Sequence, residues 1–138
     1  MSEIKVDKIS GKTSANAVTV TGENGSTQTS LQQGLAKAWI NFDGSGTIAS
    51  RDTFNTTSLT DEGTGNYSFD FVSDMANNDY AISGQNRSPG VRAGAGINAP
   101  SNSDSDAATG SLEFFTIFVT GDPFDYTQIS VIIHGDLA

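Results

Sequence analysis

From Tyr67 to Val72 the chain reads Tyr-Ser-Phe-Asp-Phe-Val, with a ring at every second position. Side chains of a strand alternate between two faces, so Tyr67, Phe69 and Phe71 share one side and Ser68, Asp70 and Val72 the other. That is a strand with one buried face. The turn Glu62-Gly63-Thr64-Gly65 precedes it, and Tyr80-Ala81-Ile82-Ser83 reads as the next strand. Upstream, Ala38-Trp39-Ile40-Asn41-Phe42 reads as a strand closed by the turn Asp43-Gly44-Ser45-Gly46. Downstream, Val91, Ala93, Ala95, Ile97 and Ala99 alternate with Arg92, Gly94, Gly96 and Asn98, and such small residues suit a close backbone approach or a bulge.

The last two strands carry more apolar surface. In 112–119, Leu112, Phe114 and Phe118 share one face with Thr116, and Phe115, Ile117 and Val119 fill the other. In 128–134, Ile129, Val131 and Ile133 face one way, and Ile132 interrupts the polar series opposite. A strand apolar on both faces is covered on both faces. The second cover comes from another subunit or from loops laid over a two-sheet sandwich. Short strands with frequent turns point to an all-β, antiparallel β-sandwich or barrel. Loops are expected at 84–90, 98–111 and 120–126, where recognition is usually carried.

Composition agrees. Of 138 residues, 36% are hydrophobic and 17% charged, with Ser, Thr, Asn and Gly filling the difference. Eight Phe argue against disorder. The length suits one folded domain at 38–138, preceded by an arm and short collar at 1–37. In the arm, Ile4, Val6 and Ile9 are scattered and Val18-Thr19-Val20-Thr21 is β-prone. There is too little apolar surface for a core, so the arm is mobile or held by something else. Residues 31–38, LQQGLAKA, fit a linker or one or two helical turns with Leu31 and Leu35 on one face. Three copies meeting at Leu31, Leu35 and Ala38 would bury those residues.

Charge is uneven. All four Lys (Lys5, Lys8, Lys12 and Lys37) precede residue 38, whereas 38–138 holds thirteen acids and three Arg, a balance of −10. Such a body repels nucleic acid and anionic membrane. No run approaches a membrane span, and residues 1–20 lack the apolar stretch of a secretion signal. There is no cysteine, which removes disulfide and thiolate chemistry.

Chemistry-bearing patterns are sparse. The single His134 lies in an apolar strand, there is no nucleophile elbow, and no phosphate-cradling loop occurs. The pairs Asp104/Asp106 and Asp122/Asp125 lack EF-hand spacing and sit in turn-forming company. No cofactor, no metal and no enzymatic activity are expected. Asn24, Asn55, Asn66 and Asn86 each begin an Asn-x-Ser/Thr triplet, as chance provides in such a composition. Arg87 and Arg92 flank Ser88-Pro89-Gly90, and Tyr126 follows Asp122-Pro123-Phe124-Asp125. A guanidinium and a ring on adjacent loop tips suit an acidic or neutral sugar. The candidate ligand residues are therefore Arg87, Arg92, Asp122 and Tyr126.

Several stretches resemble small bacteriophage tail-fibre and fibre-like virion structural proteins. They are MSEIKVDKISGKTS, VTVTGENGSTQTSLQQGLAKAWINFDGSGT, SRDTFN at 50–55, SLTD at 58–61, GTGNYSFDF at 63–71, MANNDYAI at 75–82 and ISVIIHGD at 129–136. The likeness is weakest across 84–110. It implies a homotrimeric, jelly-roll-like sandwich knob on an extended virion-binding arm, with host-surface carbohydrate as ligand and the virion, assembled in host cytoplasm, as location. The arm would dock on other virion proteins through Ile4, Val6, Ile9, Val18 and Val20. Leu31, Leu35, Trp39, Phe115, Ile117 and Ile132 would make the trimer contact. An arm of this length leaves no room for a shaft, so tail fibre and capsid decoration both stay open.

Overall fold

The computed structural model describes residues 3–12, 18–21, 25, 28–90, 97–98 and 107–138. The chain forms two units, residues 1–35 and 36–138, a division two residues before the boundary expected from sequence.

In the first unit, β1 (Thr19–Thr21) pairs antiparallel with β2 (Gln28–Ser30), with Thr19 opposite Ser30. The β-prone Val-Thr run thus finds a partner strand within the unit. A single helical turn, α1 (Leu31–Gly34), follows directly. Ser30 caps it, its Oγ accepting the Gln33 N–H at 3.3 Å. The turn stops because Gly34 is a poor helix former and four residues give little cooperativity. Leu35 is already extended, at φ −96° and ψ 141°. The stretch 31–38 thus holds one helical turn, the shorter of the lengths expected, and Leu31 and Leu35 do not share a helical face. Residues 3–12 carry neither helix nor strand and are exposed.

The second unit is all-β. Its strands are β3 (Ala38–Asp43), β4 (Ala49–Phe54), β5 (Thr56–Gly63), β6 (Asn66–Phe71), β7 (Ala81–Arg87), β8 (Ile97–Asn98), β9 (Ser111–Thr116) and β10 (Gln128–His134). They form two antiparallel sheets, ordered β4-β3-β10-β7 and β5-β6-β9-β8. The pairing is nested: the first strand of the unit pairs with the last, and β6 with the next to last.

Both sheets contribute to one core. Ile40 and Phe42 of β3 and Ile129, Val131 and Ile133 of β10 are buried, as are Tyr67, Phe69 and Phe71 of β6 and Leu112 and Phe114 of β9. The alternation read in the sequence places each of these rings and branches inward. Phe42 of the first sheet meets Tyr67 and Phe114 of the second edge-on, at centroid distances of 5.1 and 6.1 Å. Thr116 is polar yet fully buried, because its hydroxyl donates to the Phe124 carbonyl at 2.7 Å. The turn before β6 needs glycine at 65: φ is +68°, and a Cβ there would lie 2.5 Å from the Thr116 carbonyl oxygen.

β4 and β5 left no periodic signal. All six residues of β4 are exposed, and only Thr56 of β5 is buried. The two strands run on through Asn55 and form an edge of the first and of the second sheet. Asn55 sits at φ 55° and is pinned there. Its Oδ1 accepts the Ser73 N–H at 2.7 Å, and its Nδ2 donates to the Lys37 and Ser73 carbonyls at 3.0 Å.

The loop expected at 84–90 is also corrected, since Gly84 to Arg87 belong to β7. Gly84 faces inward and admits Ile97 of β8, whose side chain would strike any Cβ placed there. Of the alternating stretch 91–99 only β8 lies among the described residues, and most of the loop 98–111 lies outside them.

Within the single chain the outer faces are only partly covered. Ile132 is 42% exposed and Val119 61%, while Trp39, Phe115 and Ile117 are half-buried. Urea unfolding should separate the two environments. Phe114→Ala should cost about 3–5 kcal/mol through the cavity it leaves. Ile132→Ala should cost less than about 1 kcal/mol in the monomer. A comparable loss for Ile132 would show that its side chain is covered in solution.

Candidate functional site

The outer face of the first sheet is ordered in rows by the strand register. Phe54 of β4 lies opposite Trp39 of β3, Trp39 opposite Ile132 of β10, and Ile132 opposite Ser83 of β7. This apolar row crosses the sheet at the end where the chain enters the unit. The next row is polar: Asp52, Asn41, Ser130 and Gln85. The Asn41 Nδ2 donates to the Ser130 hydroxyl at 2.6 Å. Two residues further along, Gln128 lies opposite Arg87, and here the face opens into a cleft.

The cleft has a volume of about 560 Å³ and is lined by Arg51, Arg87, Ser88, Pro89, Thr127 and Gln128. Two of the three arginines of an acidic chain therefore meet at one place. A smaller hollow of about 80 Å³ adjoins it, sharing Arg87 and Gln128 and extending to Gln85, Asn86 and Ser130.

The arginines are held differently. Arg51 projects from β4 and is clamped. Its Nη2 donates to Asp43 Oδ2 at 2.9 Å and to the Thr127 carbonyl at 2.6 Å. Its Nη1 reaches the Phe42 carbonyl at 3.5 Å, which leaves Nε and the second Nη1 proton for other acceptors. Asp43 is itself fixed by the Ser45 hydroxyl at 2.7 Å and the Ser45 N–H at 3.0 Å. These bonds, with a smaller contribution from Arg51, hold its carboxyl below the usual carboxylate range despite opposing desolvation. Arg87 ends β7 and is exposed. Among the described residues its guanidinium has no hydrogen-bond or ion-pair partner. The wall between them is tied by the Thr127 N–H donating to Ser88 Oγ at 2.9 Å and the Thr127 hydroxyl donating to the Arg87 carbonyl at 3.2 Å.

Of the ligand residues expected from sequence, Arg87 is the one that lines the cleft among the described residues. Arg92 lies outside the described residues. Asp122 is exposed in a separate turn, where it accepts the Thr120 hydroxyl at 2.7 Å. Tyr126 is a correction. It is fully buried, its ring 4.8 Å from that of Phe124 and its hydroxyl donating to the Ile117 carbonyl at 3.1 Å. Burial pushes its phenol pKa up. Its i, i+2 spacing from Phe124 was the available sign of an inward ring. Sequence reading missed Arg51, Ser88, Thr127 and Gln128. The scarcity of arginine was the one signal pointing to Arg51.

The residues expected to make a trimer contact divide. Trp39 and Ile132 share the apolar row of the first sheet. Phe115 lies on the outer face of the second, opposite Asn66 of β6, with Ile117 just beyond the same strand. Leu31 and Leu35 belong to the first unit, half-buried and 55% exposed respectively. Of the residues expected to dock the arm, Ile4, Val6, Ile9 and Val20 are 56–87% exposed and Val18 is half-buried.

Asp125 has a structural duty. It accepts the Gly65 N–H at 2.6 Å and the Tyr67 hydroxyl at 2.8 Å. It thus serves a different part of the fold from Asp122. Asp104 and Asp106 lie outside the described residues. Among the described residues no cluster of three or more metal-ligating side chains occurs, and no helix is long and apolar enough to cross a membrane. His134 is exposed on β10 opposite Ala81. Asn55 and Asn66 are engaged in hydrogen bonds and Asn86 is buried, while Asn24 lies outside the described residues.

Comparison with protein-family models, curated proteins and solved structures finds no match to this chain.

The lowered Asp43 pKa sets a pH dependence. A carboxylate depressed on folding stabilises above its unfolded value, near 3.8, and that contribution is lost as pH falls through the folded pKa. Asp43→Asn should therefore flatten the acid limb of the stability profile. At neutral pH it should cost about 1–2 kcal/mol. Thermal unfolding between pH 2 and pH 7 checks both.

Proposed function

We propose that the chain is a non-enzymatic bacteriophage fibre protein that binds host-surface glycan at the arginine-lined cleft. The carrying observation is the cleft itself. An acidic body with few cations gathers two of them at the end of its sheet away from the incoming chain, beside hydroxyl and amide groups of the kind that orient sugars. The resemblance to fibre-like virion proteins supports the same reading.

The nested pairing supports a jelly-roll-like sandwich for the body. β3, β10 and β7 in one sheet and β6, β9 and β8 in the other follow a folded long hairpin, with β4 and β5 added at one edge. A homotrimer is part of the proposal. Its seam is assigned to the row of Phe54, Trp39 and Ile132, which leaves the cleft free at the far end of the same face. Phe115 and Ile117 lie on the other sheet; because a threefold interface joins two different patches of each subunit, they are assigned to the complementary patch. The arm would anchor the protein to other virion proteins through Ile4, Val6 and Ile9, all exposed in the free chain.

Those same arm residues favour a second reading, a capsid decoration whose work is docking alone. Adsorption assays separate the two. Soluble full-length protein at saturation should slow adsorption of the particle that carries it, and Arg51→Ala/Arg87→Ala protein should not. Unchanged adsorption with wild-type protein, together with unstable particles when the protein is missing, would establish the decoration instead.

A further inference from the structure

Resting on the glycan-binding reading, we infer that the cleft selects an acidic sugar and holds its carboxylate between Arg87 and the free edge of Arg51. Arg51 is pre-positioned: its Nη2 donates to Asp43 and Thr127 and its Nη1 to the Phe42 carbonyl, which hold its fork at the cleft. Its charge is largely answered by Asp43, so it supplies directed donors more than net attraction. Arg87 is the opposite, a whole guanidinium without a described partner at the mouth of the same cleft. In a chain of net charge −9 the ordinary fate of a surface arginine is a neighbouring carboxylate. Here Asp43 is committed to Arg51 and Ser45, and Asp52 holds the Thr53 N–H. A planar fork facing a cavity matches a carboxylate bidentately, which a lysine would not.

The rest of the sugar has a place. The adjoining hollow continues from Arg87 and Gln128 to Gln85 and Ser130, offering amide and hydroxyl groups for ring hydroxyls. The body's own negative field opposes an acidic ligand at long range, and salt screens that opposition along with the contact. Binding by directed contact therefore has a shallow salt dependence, unlike adsorption to a basic patch.

The test is a glycan array carrying uronate, sialate, sulfated and neutral oligosaccharides, probed with the full chain. Carboxylate-bearing spots should be bound. Arg87→Lys should weaken binding about tenfold or more, and Arg87→Ala should abolish it. Both variants should keep the wild-type melting temperature, because the guanidinium has no described partner inside the fold. Binding to neutral spots, or binding indifferent to Arg87, would overturn the selection of acidic sugar while leaving glycan adhesion standing. Binding to sulfated spots alone would overturn the carboxylate assignment. An empty array from protein that still blocks adsorption would place the receptor outside carbohydrate and overturn the inference, and an empty array without blocking would remove the glycan reading too.

Discussion

The body depends on the edge-on contact of Phe42 with Tyr67 and Phe114, where the two sheets share one set of rings. Phe42 brings the first sheet, and the other two bring the second. Aromatic pairs in this geometry add to the burial they already provide. Tyr67 also carries a hydroxyl into the core, and that hydroxyl is satisfied. It lies 2.9 Å from the Gly44 carbonyl and 2.8 Å from Asp125 Oδ1. Burial first, and then the hydrogen bond to Asp125, raise its pKa, so the phenol stays protonated and able to donate. One residue therefore ties the turn after β3, the loop before β10 and the core together. Gly44 must be small for this, since a Cβ there would sit 2.5 Å from the Tyr67 hydroxyl oxygen.

That core fixes the cleft. Phe42 is buried, so its neighbour Asp43 points outward, turns on Ser45 and receives Arg51. Ile129 is buried, so Gln128 faces out opposite Arg87. The outer rows follow from the inner ones because strand side chains alternate. The proposed division of labour on the face, an apolar row near the incoming chain and arginines at the far end, is a consequence of the same register.

Strands with one strongly apolar face were legible in the sequence. β3, β6, β9 and β10 announce themselves by their apolar residues, and the inner faces expected for β6 and β10 are the buried ones. The strand expected over 112–119 ends at Thr116, with Leu112, Phe114 and Thr116 buried and Phe118 half-buried beyond it. β4 and β5 do not announce themselves, because an edge strand exposed along its length has no apolar face to betray it. β7 was read short, since Gly84 and Asn86 look like loop residues until Ile97 is seen to pack on the glycine. The site was less legible still. Arg87 was found because it flanks a Ser-Pro-Gly turn. Arg51 comes from an unmarked strand, and Tyr126 was misplaced because a ring beside Asp and Pro looks like a loop tip. Pairing of distant segments made the cleft, and a local pattern carries no record of that pairing.

The most direct measurement follows arginine and tryptophan side chains by NMR as host-surface polysaccharide is added to the full chain. The sequence has three Arg and one Trp, so each Nε–H and the indole N–H can be assigned by single substitutions. Sugar binding at the cleft predicts that the Arg51 and Arg87 signals move together and saturate while the Trp39 indole stays still. Movement of the Trp39 indole with both arginine signals unchanged would contradict it, and would place the ligand on the apolar row instead.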